Sequence, residues 1–230
     1  VEVKPSTIAI DGPAASGKST LAKRIADYLG YLYFDTGVMY RAITWVALQG
    51  GIDLEDGDAI SHLAETVRID VLVPSKDDGR DADILADGQD ITWEIRSAAV
   101  DSNVSVVSAY PGVRAALSDQ QRRIGQRGKV VMAGRDIGTV VLPDADLKVY
   151  LDASVEVRAE RRTLENRARG KPVQFERILD ALKKRDRIDS TREVAPLCVA
   201  EDAIVIDSDE LTIDQVYEKT KALINAWKRS

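Results

Sequence analysis

Gly12-Pro13-Ala14-Ala15-Ser16-Gly17-Lys18-Ser19 fits the pattern G-x-x-x-x-G-K-[ST] and follows directly on the apolar run Thr7-Ile8-Ala9-Ile10. The residues after it, Thr20 to Leu29, place Leu21, Ile25, Tyr28 and Leu29 on one helical face. Strand, glycine-rich loop and helix, in that order, are the setting of a phosphate-binding P-loop. Gly12 and Gly17 permit backbone conformations that side chains obstruct, so successive N–H groups can turn inward on phosphate oxygens at the helix N-terminus. Lys18 brings a charge to the β- and γ-phosphates, and Ser19 a hydroxyl for Mg²⁺. The expected cradle is Gly12, Pro13, Ala14, Ala15, Ser16, Gly17, Lys18, Ser19 and Thr20. Its rival, a plain glycine turn with an exposed lysine, has the flanking strand and helix against it.

Composition limits what such a loop serves. The 230 residues suit one α/β domain with insertions, and an apolar share of 44% supplies a sizeable core. A formal net charge of -6 argues against nucleic acid and against anionic membranes as partners, so a site for a polyanionic ligand must be locally basic. Cys198 and His62 are the only residues of their kinds, which leaves no disulfide framework and no Cys/His metal cluster. A reducing, cytoplasmic location is the simplest expectation. Val1 to Pro5 shows no charged leader before a long apolar stretch, and no run approaches a membrane span.

Outward from the loop, Gly30 stops the first helix, and Tyr31-Leu32-Tyr33-Phe34 reads as a second buried strand ending at Asp35-Thr36-Gly37. Either Asp35 or Thr36 can cap the next helix, which carries Tyr40 and Arg41. A polar Thr/Tyr/Arg cluster past a strand's C-terminal end is where open α/β sheets place ligands, although a capped surface helix explains it equally. Val67, Ile69, Val71 and Val73 then alternate with other residues as in a strand. A polar loop, Pro74 to Asp81, is expected to be mobile, and Ile84-Leu85-Ala86, Asp87-Gly88 and Gln89-Asp90-Ile91 read as a hairpin. This antiparallel insertion fits a substrate-binding subdomain or an inert decoration. A helix is expected over Glu94 to Ser108, including Ser105, and a second from about Val113, including Arg114.

The third buried strand, Lys129 to Met132, opens onto Ala133-Gly134-Arg135-Asp136-Ile137-Gly138-Thr139, and the fourth, Leu147 to Leu151, ends at Asp152-Ala153-Ser154. The helix beyond places Arg158, Arg161 and Arg162 at i, i+3 and i+4, with Arg167, Arg169 and Lys171 around Gly170. Interleaved glutamates allow a solvated face; a transferring phosphoryl group would instead want a mobile, arginine-rich flap. In the helix from about Gln174 to Ile188, Arg185, Asp189 and Arg192 share one side while the helix persists. Ala203 to Ile206 is the fifth strand and Ile213 to Trp227 the last helix. The fold class is α/β, and no Asn-Lys-x-Asp guanine reader is present.

Ile10-Asp11-Gly12-Pro13 through Ser19, Asp35-Thr36-Gly37 with Tyr40-Arg41, Gly134-Arg135-Asp136-Ile137-Gly138-Thr139-Val140-Val141, and Arg185-Asp186-Arg187 with Arg192 and Ala195-Pro196-Leu197 together resemble bacterial-type cytidylate kinases. The resemblance implies a P-loop nucleoside-monophosphate-kinase-like, three-layer fold with a five-stranded parallel sheet in the order 2-3-1-4-5. It divides the chain into core (1–35, 129–153 and 173–230), acceptor-nucleotide region (36–128, with the insertion at 63–93) and lid (154–172). It implies cytosine contacts at Thr36, Ser105, Arg114, Asp136 and Arg192, with Tyr40 beside them. Acceptor-phosphate contacts fall on Arg41 and Arg135, and Arg185 and Asp189 lie near the sugar. Arg158, Arg161 and Arg162 correspond to lid arginines, Arg161 foremost, acting with Lys18. Ala133 stands where the family commonly has an acid, so Asp35 or Asp11 would have to reach Mg²⁺ through water in its place.

The activity so implied is γ-phosphoryl transfer from ATP, as its Mg²⁺ complex, to CMP or dCMP by a monomer. Kinases for UMP or AMP, and a non-catalytic nucleotide-dependent interaction module, are the alternatives.

Overall fold

The computed structural model describes residues 4–168, 170 and 174–228. Arg169, Lys171 and Pro172 of the expected lid, and the leading Val1-Glu2-Val3, lie outside the described residues. The first half comprises β1 (Thr7–Asp11), α1 (Lys18–Leu29), β2 (Leu32–Asp35), α2 (Gly37–Gln49), α3 (Gly57–Thr66), β3 (Ile69–Leu72), β4 (Asp83–Ala86) and β5 (Gln89–Asp90). After a 3₁₀ turn at Glu94–Arg96 come α4 (Ala98–Val107), α5 (Pro111–Gly125) and β6 (Val130–Gly134). A π-type turn at Ile137–Val141 leads to β7 (Leu147–Asp152), α6 (Val155–Ala168), α7 (Phe175–Thr191), β8 (Ile204–Asp207) and α8 (Ile213–Ala226). The chain forms two compact units, Val1–Ile25 with Ala133–Ser230, and Ala26–Met132.

The larger, parallel sheet runs β2-β6-β1-β7-β8, which is 2-3-1-4-5 when its own strands are counted from the N-terminus. Ile8, Ala9 and Ile10 are fully buried, and so is every residue of β6, as expected of strands covered on both faces. Pairing of β1 with β7 sets Ile10 opposite Val149 and Asp11 opposite Tyr150, and β8 sets Asp207 opposite Asp152. The C-terminal ends of β7 and β8 are therefore level, and β1 stops opposite Tyr150, just short of them. The glycine loop, Ala153-Ser154 and Ser208 leave the sheet side by side, the place where open α/β sheets build ligand sites. Ser208 is tied there by its N–H and its hydroxyl, both donating to the Asp152 carbonyl at 3.0 and 2.9 Å.

In the other unit α3 packs on α5 and α2 on α4, beside the antiparallel sheet β3-β4-β5. Asp87 and Gly88 both take positive φ, +47° and +84°, as a two-residue hairpin turn requires. The loop before β4 differs from the mobile segment expected. It closes around Arg80, whose side chain is 3% exposed and donates to the carboxylates of Asp78, Asp83 and Asp90. The hydrogen bonds from Arg80 hold Asp78 well below the usual carboxylate range. Trp93 Nε1 also donates to Asp78 at 3.1 Å, so a cation with three anionic partners adds a polar cluster to an insertion whose Ile69, Val71, Ile84 and Ile91 are buried.

Several boundaries move. The helix expected over Glu94–Ser108 is interrupted at Ser97, whose ψ of 153° is extended. The next helix starts at Pro111, not near Val113, because proline lacks only an N–H that a first helical turn leaves unbonded anyway. Tyr28 sits at the margin of its face, 36% exposed, and Val73 falls outside β3. Helix α3 is absent from the sequence reading, although Asp56 Oδ1 accepts from Ala59 N at 3.0 Å and Ile60 and Ala64 are buried four residues apart.

Candidate functional site

Around the glycine loop the backbone alternates in hand: φ is +154° at Gly12, +62° at Ala15 and +94° at Gly17. A Cβ on Gly12 would lie 2.2 Å from the Leu151 carbonyl oxygen, so β7 packs against a position only glycine can occupy. Lys18 is buried and its Nζ donates to the Pro13 carbonyl at 2.9 Å, which folds the ammonium over its own loop. Ser16 Oγ is buried without a hydrogen-bonding partner. Such an orphan calls for a ligand acceptor. The loop from Ala15 to Thr20 borders a cavity of about 510 Å³ closed on its other sides by Arg161, Arg162, Ser208 and Ile213.

Among the described residues no group of three or more His, Cys, Asp or Glu side chains is placed to hold a metal ion. Mg²⁺ carried on nucleotide phosphates keeps several waters and needs one or two protein oxygens, and Ser19, bordering the cavity, fits that demand. Asp35 Oδ1 accepts from Gly37 N at 3.0 Å and starts α2, the role that the Thr36 side chain leaves unfilled.

The three arginines of α6 diverge, against the single face expected. Arg158 turns inward: it donates to the carbonyls of Ala153 and Ala14 at 2.9 and 3.0 Å and forms a two-pronged pair with Asp186 of α7 at 3.0 and 2.6 Å. Its guanidinium is a strut between the glycine loop and the α6–α7 packing, with Ala14, Ala159 and Leu182 clustered in the same core. Arg161 reaches the cavity and donates to Ser208 Oγ at 3.1 Å and to the Ser208 carbonyl at 2.5 Å. Arg162 stays at the surface with Glu165 at 2.9 Å. One helical turn thus yields a buried structural arginine and two that border the cavity, Arg161 tied across the chain to Ser208 and Arg162 half-exposed and paired along its own helix.

Two motifs separate in sequence meet in the same unit. Arg135 Nε donates to Asp189 Oδ2 at 2.9 Å, Arg192 lies 3.5 Å from Asp189 Oδ1, and its other terminal nitrogen is 3.8 Å from Asp136 Oδ1. Arg135 and Asp136 are therefore not the local surface pair that adjacency would suggest; each pairs across the chain. Asp136 and Asp189 are buried. Arg185 stays exposed, 3.9 Å from Asp189. Helix α7 ends at Thr191 and Arg192 is its extended cap, with Nε donating to the Ala195 carbonyl at 2.6 Å.

Beside this network lies Asp11, a buried carboxylate that accepts from Ile137 N at 2.8 Å through Oδ1 and from Gly138 N at 2.7 Å through Oδ2. Burial pushes it up to about 6; the two N–H groups and Lys18 work against that rise, and Asp136 adds to it. Between about pH 4 and pH 6 the folded chain therefore holds a proton here that an unfolded chain, titrating at 3.8, has lost. The sign follows: this group's contribution to stability grows as pH falls from above 6 toward 4, and is least favourable at neutral pH.

In the other unit, Arg41 pairs with Asp101 at 2.6 Å and donates to the Ile95 carbonyl at 3.1 Å. Arg114 is buried, donates to the Ser108 carbonyl and places its guanidinium 5.4 Å from the centre of the Tyr40 ring. Thr36 is buried at the start of α2, and Ser105 is on the exposed side of α4. A cavity of about 190 Å³ is bordered by Tyr33, Asp35, Arg41, Asp81 and Arg96.

A family model for cytidylate kinase matches residues 8–226. The chain belongs to the cytidylate kinase family. It is 54% identical over 220 residues to a cytidylate kinase of Herpetosiphon aurantiacus, covering 96% of this chain and 94% of that one. A cytidylate kinase of Exiguobacterium is 50% identical over 226 residues, 98% of this chain and 99% of the relative. Among solved structures, an uncharacterized protein from Eubacterium ventriosum superposes with a TM-score of 0.51 at 12% identity over 95% of this chain and 98% of its own, a likeness of fold alone. Of the residues by which the chain resembles cytidylate kinases, Asp11 enters the sequence reading only beside Asp35, as a carboxylate that would reach Mg²⁺ through water. Its partners lie 126 and 127 residues away, beyond the reach of any local pattern.

Proposed function

We propose that this cytidylate kinase family member transfers the γ-phosphoryl group of ATP to the α-phosphate of CMP or dCMP, giving ADP and CDP or dCDP. Family membership over residues 8–226 is the observation that carries the reading. The glycine loop, residues 12–20, takes the triphosphate of the donor, with Lys18 toward the β- and γ-phosphates and Arg161 on the far side of the cavity. Ser19, with Asp35 through water, would hold Mg²⁺, which supplies charge neutralisation on the phosphates. Residues 36–128 form the acceptor region and 154–172 the lid. Asp136, Arg192, Thr36, Ser105 and Arg114 read cytosine, Tyr40 beside them; Arg41 and Arg135 take the acceptor phosphate, and Arg185 and Asp189 the sugar.

The nucleophile is a phosphate oxygen that is ionised before it binds, so no side-chain base is needed. His62, exposed on α3 and 3.7 Å from Glu65, has no part in the reaction. In-line placement and fixed positive charge do the remaining work. The protein acts as a monomer in the cytoplasm. Among the described residues no helix is long and apolar enough to cross a membrane.

The test is ADP formation from ATP in a coupled assay with CMP, dCMP, UMP, AMP and GMP offered singly. CMP and dCMP are expected to stimulate ADP release well above the acceptor-free rate. Stimulation by UMP or AMP alone overturns the acceptor assignment, and ATP binding without any acceptor-dependent turnover overturns the reaction. Asp136 supplies the discrimination, since its carboxylate accepts from an amino group and repels the carbonyl that uracil presents there. Asp136→Asn is expected to lower kcat/KM for CMP roughly 10- to 100-fold, the cost of about 1–3 kcal/mol for mismatching one buried polar partner, and to narrow the gap between CMP and UMP. An unchanged CMP:UMP ratio removes Asp136 from base recognition.

A further inference from the structure

Asp136 occupies the cap position of the turn Ile137–Val141 yet makes no cap hydrogen bond with its side chain. An aspartate there ordinarily folds back onto the N–H groups of its own first turn. Asp11, reaching over from the end of β1, takes the N–H groups of Ile137 and Gly138 instead, one on each carboxylate oxygen. The approach is close: a Cβ on Gly138 would stand 3.4 Å from Asp11 Oδ2 and 3.1 Å from the Lys148 side chain. With the Gly138 N–H, one of the two donors that a cap side chain ordinarily uses, taken by Asp11, the Asp136 carboxylate stands 3.8 Å from Arg192.

We propose that Asp11 is a positioning residue for acceptor recognition, a carboxylate on β1 that caps the turn in place of Asp136 and so keeps Asp136 aimed at Arg192. The inference rests on the assignment of Asp136 to the cytosine site. Asp11 also directly precedes Gly12, so the loop that takes the donor and the turn that reads the acceptor are fastened to one residue. An amide at position 11 offers one acceptor oxygen and turns its NH₂ group on the second N–H. One donor is left unbonded, and Asp136 is drawn inward to satisfy it.

The groups facing Asp11 are Lys18 from α1, Asp136 from the turn, and Tyr150 and Lys148 from β7. Tyr150 is pushed up to about 12 by burial, with Asp152 and Asp11 adding to the rise, so it stays neutral across the working range. Lys148 is tied by its Nζ to the Pro143 carbonyl and to Asp202 at 2.7 Å. Burial pushes Asp11 up to about 6. Protonation gives wild type the same defect that Asp11→Asn has at every pH.

Three measurements test this. Asp11→Asn is expected to lower kcat/KM for CMP about tenfold at pH 8, mostly through KM. The ATP dissociation constant should change less than twofold. The wild-type to Asp11→Asn ratio should shrink toward unity by pH 5; ionisation of CMP itself is common to both proteins and cancels. In wild type without substrate, the amide proton resonances of Ile137 and Gly138 should titrate together with a midpoint near 6. Unaltered CMP kinetics in Asp11→Asn, a ratio that does not vary with pH, or amides that do not titrate overturns the proposal. The resonance titration needs no variant and no substrate. It stands even if Asp11→Asn fails to fold, and it separates failure of this inference from failure of the CMP assignment, which the nucleotide panel tests on wild type.

Discussion

Lys18→Ala is expected to lower kcat by about 10²–10³-fold, the range for deleting one preorganised group that stabilises transition-state charge, while the far-UV circular dichroism and the melting temperature stay close to wild type. The lysine stem is buried and its ammonium donates to the Pro13 carbonyl at 2.9 Å, so the charge is placed before any nucleotide arrives. Placement in advance is what makes it effective, because no reorganisation is needed when charge moves between the phosphates. The fold depends on it little. The glycine loop is shaped by Gly12 against Leu151 and by the bond from Arg158 to the Ala14 carbonyl, neither of which involves the lysine side chain. ATP binding should weaken less than turnover falls, since the loop N–H groups still meet the phosphates. A variant that turns over near the wild-type rate would remove Lys18 from the reaction.

The phosphate loop was legible in the sequence because its requirements are local: a strand, glycines at two special backbone positions, a lysine and a helix. The hairpin at Asp87-Gly88 was legible for the same reason. Much else was hidden because it depends on what a residue meets across the chain. Periodicity puts Arg158, Arg161 and Arg162 on one face of α6, but it does not show Asp186 waiting for the first and Ser208 for the second. Adjacency suggests that Arg135 pairs with Asp136, whereas Asp189 and Arg192, more than 50 residues on, take them apart. The Pro74–Asp81 loop reads as polar and mobile because a buried arginine with three carboxylates has the composition of a surface segment. The four motifs of the cytidylate kinase pattern were visible as strings; which of their side chains hold one another in place was not.

Arg161→Ala is expected to lower kcat on the order of 10³-fold, as for removal of an arginine that neutralises a transferring phosphoryl group, with little loss of stability. Arg161 and Lys18 border the same cavity from opposite elements, α6 and the glycine loop, so two cations converge on the space assigned to the triphosphate. Losing the guanidinium leaves Ser208 still anchored to Asp152 by its N–H and hydroxyl, which is why the fold should tolerate the change. Arg158→Ala is the informative contrast. It removes four hydrogen bonds and strands Asp186, whose side chain keeps 28% of its exposure. The loss of stability should be about 2–3 kcal/mol, below the ~3–5 kcal/mol of a fully buried broken pair because water reaches the remaining carboxylate. Denaturant unfolding of both variants, set beside their kcat values, separates the roles: Arg161→Ala should lose rate and keep its midpoint, and Arg158→Ala should lose midpoint whatever happens to rate. If Arg161→Ala keeps the wild-type kcat, the cavity-lining arginine serves the shape of the site and the charge that stabilises transfer comes from Lys18 and the nucleotide's own metal.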